Sequence, residues 1–150
     1  SEIGGEFTEQ ENSGLNVFRN NCASCHKEPL FSSTDFKNNG LNIDSTLNDF
    51  GRMRVTKKPQ DSLKFKVPTL RNIQFTQPYM HDGRFETLQE VINHYTSDVQ
   101  HGPTLANELQ EQITLTHKEK VDLLVFLRTL TDQEFLYNKR FSYPRETPTN

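Results

Sequence analysis

Apolar residues recur at helical spacing in three parts of this chain, and no segment shows the strict alternation of a half-buried strand. The clearest run is the last. Thr116 and Glu119 form a T-x-x-E capping box, and Val121, Leu124, Val125, Phe126, Leu127 and Leu130 supply the apolar faces behind it. A second box, Thr87 and Glu90, opens the stripe Leu88, Val91, Ile92, Tyr95. A shorter helix is predicted near the start, with Ser13 as N-cap and Leu15, Val17 and Phe18 as its buried side, running into Cys22. A weaker helix is predicted over residues 105–113, after the break at "HGPT".

Between these runs the pattern dissolves. Residues 27–66 are rich in Asn, Asp, Ser, Lys and Gly without periodicity, and loops of that length are usually functional or wrapped around something. "FKVPTLRNIQFTQPYMHDGRF" reads as extended chain and turns, punctuated by Pro68, Pro78 and Gly83. Residues 1–12 read as a loose leader, 13–131 as one domain and 132–150 as a polar tail. The expectation is an all-α domain: a few helices joined by long loops.

Composition sharpens this. Only 32% of the 150 residues are apolar and the mean hydropathy is −0.79, well short of the roughly 45–50% of ordinary soluble domains, even with the seven glycines added. The polypeptide is poorly supplied with core, so an apolar group that is not protein is expected to fill its middle. With a net charge of −3 the chain has no basic face for phosphates, which argues against nucleic acid as a partner. No run approaches the ~18 apolar residues of a membrane span. "SEIGGEFTEQ" lacks the basic and apolar regions of a signal peptide, so an exported protein would have Ser1 beyond the cleavage site or inside a longer chain.

The candidate chemistry lies in "NCASCHKEPLF". Cys22, Cys25 and His26 make C-x-x-C-H, the attachment signature of c-type haem. Two cysteines three apart can each form a thioether to one haem vinyl group, and the adjacent histidine can then give the iron its proximal nitrogen. The rivals are weaker. A zinc site wants four ligands, and His81, His94, His101 and His117 show no matching spacing. A redox dithiol belongs in a βαβ context, absent here. A Cys22–Cys25 disulfide would close a tiny loop for little stabilisation.

The other side of the iron decides the function. Met80, in a Pro-rich loop, offers a thioether, which favours reduced iron; its plainer role is to fill a gap in the core. Tyr95, at the end of its stripe, offers a phenolate, which favours oxidised iron; its plainer role is aromatic packing against the haem. His81 is a third candidate, best read as a structural hydrogen-bond partner, and Met53 in "GRMRV" a weaker one. Arg52, Arg54 and Arg71 are candidates to neutralise haem propionates, though surface roles fit each slightly better.

"VPTLRN", "PYMHDG" and the "TL-x-E" that follows, together with C-x-x-C-H and "FLRTLT", resemble the C-terminal haem domain of bacterial di-haem cytochrome c peroxidases and the related MauG proteins, over most of residues 14–131. The resemblance implies a cytochrome c-like helical domain around one covalent haem. It implies that the distal ligand stands at the position of Tyr95, a methionine in the peroxidases and a tyrosine in MauG-type members. It places backbone carbonyls of Thr76 and Pro78 near a calcium ion between two haem domains. Family members carry two haem motifs in roughly twice this length and often a relay tryptophan, whereas this chain has one motif and no tryptophan.

Two readings follow. In one, the chain is the C-terminal haem domain of a di-haem peroxidase or MauG-like oxidoreductase, passing electrons to or from a second haem domain or redox protein, with hydrogen peroxide as the whole enzyme's substrate. In the other, it is a free-standing electron carrier with His26 and Met80 as axial ligands. A five-coordinate binder of small ligands is a third, weaker option. Because c-type haem is attached outside the cytoplasm, a periplasmic or other extracytoplasmic location is expected.

Overall fold

The computed structural model describes residues 6–142. The elements are α1 (Glu9–Asn21), β1 (Phe36–Lys37), α2 (Met53–Thr56), β2 (Phe65–Lys66), α3 (Leu88–Asn93), α4 (His117–Thr129) and α5 (Gln133–Tyr137). Short 3-10 turns lie between them, and one π-helical turn, His94–Asp98, continues α3. The fold is mostly helical, as the apolar spacing predicts. β1 and β2 are the exception: a two-residue antiparallel ladder pairing Phe36 with Lys66 and Lys37 with Phe65. A ladder this short carries no alternation that a sequence could display.

α1 and α4 form the body. Leu15, Val17 and Phe18 from α1 meet Leu123, Phe126 and Leu127 from α4, and Phe31, Leu70 and Ile92 close the cluster. Phe18 and Phe126 are essentially inaccessible, their ring centroids 5.3 Å apart. Burying each such side chain contributes about 1.5–3 kcal/mol. The helices approach closely because Gly14 has no side chain. A Cβ there would sit 2.0 Å from the Asp122 carbonyl oxygen and 2.7 Å from the Phe126 Cβ.

The same contact buries Asp122, which is 1% exposed. Its carboxylate accepts from Ser13 Oγ at 2.7 Å, Gln10 Nε2 at 3.1 Å and Lys118 Nζ at 2.5 Å. A buried charge is tolerated only when paired and hydrogen-bonded in this way. The Lys118 bond, then Ser13, stabilise the charged form and hold its pKa below the ordinary carboxylate value.

Ser13 is therefore not the N-cap. Thr8 caps α1, with Glu11 completing a capping box, so residues 9–12 are helix rather than leader. The expected boxes at Thr87 and Thr116 both form. The helix expected over residues 105–113 does not; only a 3-10 turn, Asn107–Leu109, is present. The expected tail begins with α5 and a further 3-10 turn, Lys139–Phe141; residues 1–5 and 143–150 lie outside the described part of the chain. No helix among the described residues is long and apolar enough to cross a membrane.

Candidate haem site

The C-cap of α1 is Cys22, whose amide makes the last helical bond, to the Phe18 carbonyl at 2.7 Å, and whose backbone at φ −120° leaves the helix. Cys25 and His26 follow in a tight turn, their amides donating to the Cys22 carbonyl at 3.2 and 2.9 Å. This turn sets all three side chains of the motif along one cavity of about 410 Å³, lined mainly by apolar side chains. Leu88, Val91, Ile92 and Tyr95, the whole predicted stripe of α3 and its π turn, line the same cavity, and so does Met80. Leu123 and Leu127 of α4 form its floor. The chain thus brings Cys22, Cys25, His26, Met80, His81 and Tyr95 to one place.

The residues fit a covalently held haem. Both cysteines are free. Burial, then the neighbouring Cys25, pushes the Cys22 thiol up to about 12, and burial raises Cys25 as well. A redox dithiol needs the opposite, a stabilised thiolate. His26 Nδ1 lies 3.1 Å from the Pro68 carbonyl oxygen. That carbonyl accepts the Nδ1 proton, which fixes the tautomer and leaves Nε2 as the free lone pair, the usual arrangement of a metal-binding histidine. Burial lowers the pKa of His26, opposed by this hydrogen bond, so the neutral imidazole is the stable form. Among the described residues no three His, Cys, Asp or Glu side chains gather as a bare metal ion would require.

"VPTLRN" now has a structural reason. Val67 is buried, the Pro68 carbonyl holds His26, and Leu70 joins the core. Asn72 stands at φ 59°, a left-handed conformation asparagine tolerates. Its amide donates to the Leu130 carbonyl at 2.9 Å, and its Oδ1 accepts from the Asp132 amide at 2.6 Å. The segment therefore ties the motif to the end of α4.

On the ligand side, the π turn widens the helix at Tyr95, a device frequent at functional sites. α4 steadies this turn: Lys120 Nζ donates to Thr96 Oγ1 at 2.9 Å and Asn93 Oδ1 at 3.2 Å. Burial raises the pKa of the Tyr95 phenol, and a hydrogen bond from Asn39 opposes this. Asn39 Nδ2 lies 3.5 Å from Tyr95 Oη and 3.4 Å from Met80 Sδ. Asn39 is the site residue that the sequence reading missed. His81 stacks on Phe65, with centroids 3.7 Å apart, rather than making a side-chain hydrogen bond of the kind expected.

Other candidates are placed elsewhere. Met53 begins α2 and does not line the cavity. Arg52 pairs with Asp61 at 3.6 Å and covers the Phe36 ring; Arg54 pairs with Asp49 at 3.7 Å; Arg71 donates to the Pro29 carbonyl at 3.1 Å. None of the three lines the cavity, whose cationic side chains are instead Lys37 and Lys66. Lys37 is bound to Glu108 at 2.6 Å and Lys66 to the Ser33 and Val67 carbonyls. Thr76 and Pro78 also line the cavity, with Thr76 Oγ1 donating to the Ile73 carbonyl.

No family model matches the chain. It is 40% identical over 98 residues to the cytochrome-c peroxidase IdrP1 of Pseudomonas sp. (strain SCT), covering 65% of this chain and 26% of that protein. It is 33% identical over 111 residues to the methylamine utilization protein MauG of Methylorubrum extorquens, covering 73% of this chain and 30% of that protein. Among solved structures, a MauG-like protein associated with microbial copper homeostasis superposes with a TM-score of 0.73 at 34% identity, over 91% of this chain and 51% of that one. The chain spans roughly a quarter to a third of these two curated relatives.

Proposed function

We propose a function from one premise: the chain belongs to the family of bacterial di-haem cytochrome c peroxidases and MauG proteins. Our reading is a c-type cytochrome domain with one covalent haem, which moves electrons as the C-terminal haem domain of a di-haem peroxidase or MauG-like oxidoreductase. The observation that carries it is the shared cavity of Cys22, Cys25, His26 and Tyr95, with His26 Nδ1 occupied by the Pro68 carbonyl. The bound haem supplies a one-electron couple between ferric and ferrous iron.

The chain's own residues do the rest. Cys22 and Cys25 would hold the group covalently, and His26 Nε2 and Tyr95 would be the ligands offered to its iron. Leu88, Ile92, Leu123 and Leu127 keep water from it and lower the local dielectric. The carbonyls of Thr76 and Pro78 are oxygen donors of the kind calcium takes, completed by ligands from another domain. The partners are a second haem domain or redox protein, with hydrogen peroxide turned over only by the complete enzyme. The location is periplasmic or otherwise extracytoplasmic, where haem is attached to such motifs.

Co-expression with a haem-attachment system tests this. One haem per chain, retained through denaturation, is expected, and the Cys22→Ala, Cys25→Ala double variant loses it. Haem that washes out of the wild-type chain would end the proposal. A second reading, a free-standing carrier ligated by His26 and Met80, draws on the Met80 sulfur in the same cavity. A sulfur-to-iron charge-transfer band in the wild type, lost in Met80→Ala, would favour it over Tyr95.

A further inference from the structure

We infer that Asn39 is a positioning residue that selects the distal ligand, favouring the Tyr95 phenolate over the Met80 thioether. This rests on the haem reading above. Asn38, Asn39 and Gly40 lie in the stretch where the hydrophobic pattern dissolves. Asn38 is 5% exposed; its Nδ2 donates to Thr104 Oγ1 at 2.9 Å and its Oδ1 accepts from the Gly40 amide at 2.8 Å. Gly40 stands at φ 71°, where a Cβ would come 2.6 Å from Val99 Cγ1, and its carbonyl accepts from the Gln100 amide at 2.8 Å. Asn39 itself accepts, at its carbonyl, from Nε2 of His94, a histidine only 2% exposed.

The backbone of Asn39 is therefore fixed on both sides, and its side chain lines the cavity. The amide has two N–H donors and meets two acceptors, Met80 Sδ at 3.4 Å and Tyr95 Oη at 3.5 Å. The Tyr95 bond is long for an oxygen acceptor, whereas 3.4 Å is an ordinary distance for the larger sulfur. Met80 is itself held at φ 72°, a conformation rare for a residue with a side chain. Asn39, Met80 and Tyr95 come from three separate segments, 41 and 56 residues apart from Asn39, yet the two ligand candidates share one donor.

The two acceptors differ in chemistry. A thioether sulfur is a weak acceptor whether or not it binds a metal. A phenolate oxygen is charged, and a hydrogen bond to a charged acceptor is about twice as strong as a neutral one. The amide therefore stabilises phenolate ligation in a cavity whose apolar walls otherwise oppose a buried negative charge. It does little for the thioether. Removing the amide donors shifts the balance from Tyr95 towards Met80.

The test uses the haem-loaded protein and reads ferric electron paramagnetic resonance, near-infrared charge-transfer bands and midpoint potential. Asn39→Leu removes both donors, and Asn39→Asp keeps the shape while replacing the donor with an acceptor. In both, the ratio of tyrosinate-ligated to thioether-ligated iron falls about tenfold. The midpoint potential rises with it, and adding Met80→Leu removes the new thioether band. Asn39→Gln, which keeps the donors, restores part of the tyrosinate signal. Covalent haem per chain and the far-ultraviolet circular dichroism are measured alongside. A wild-type tyrosinate signal in folded Asn39→Leu and Asn39→Asp overturns the inference; so does loss of attached haem in both, which would make Asn39 a folding residue. A wild-type protein without tyrosinate ligation fails earlier, at the distal assignment itself, and is recognised before any variant is made.

Discussion

The α1–α4 pair and the walls of the cavity are built on different terms. The pair is two thirteen-residue helices whose apolar faces and caps are local properties of their own sequences. The cavity wall is mostly irregular chain, held by single hydrogen bonds between residues far apart, such as His26 to Pro68 and Asn39 to Tyr95. The pair concentrates its stability in packed hydrocarbon. The wall spends polar side chains on positioning a few groups around a space. Damage to the pair should therefore be read in stability, and damage to the wall in the state of the cofactor.

The hardest way to break that contrast is Phe126→Ala. It removes a ring that is 1% exposed and should cost about 3–5 kcal/mol in chemical denaturation. Gly14→Ala follows, with a loss of about 1–3 kcal/mol or more, because its Cβ would overlap the Asp122 carbonyl and the helices must separate. An equal loss from Tyr95→Phe would erase the distinction between pair and wall. Acid probes the same contact electrostatically. Asp122 has its folded pKa depressed, chiefly by Lys118, so its contribution is complete above its unfolded pKa near 3.8 and fades as pH falls through the folded one. Denaturation midpoints measured downward from about pH 6 should drop steeply below pH ~4 in the wild type and less steeply in Asp122→Asn. Thr116→Ala removes the α4 cap and should cost about 1 kcal/mol. The smallest effect is expected from Arg54→Ala, about 0.5 kcal/mol or less, since its pair with Asp49 is largely exposed.

How much was legible follows the same division. The boxes at Thr87 and Thr116 were readable because a cap is made by residues three apart. "TEQE" at Thr8 is the same signal and was available, but the apolar run behind it starts only at Leu15, which drew the boundary to Ser13. The Leu88 to Tyr95 stripe correctly marked a cavity wall, although the π turn that carries Tyr95 has no pattern of its own. Arg52, Arg54 and Arg71 carry the charge a propionate would need, but charge alone does not say where a side chain lies.

The sequence by itself determined α3, α4, the body of α1 and the C-x-x-C-H motif, because each depends on residues within a turn or two of one another, and the scarcity of core, which is composition alone. Only the tertiary structure decided that Pro68 holds His26, that Gly14 admits α4, and that Asn39 stands between Met80 and Tyr95. Those relations join residues tens of positions apart along irregular backbone. No repeating pattern announces such pairs: they arise only when the chain has closed around its cavity.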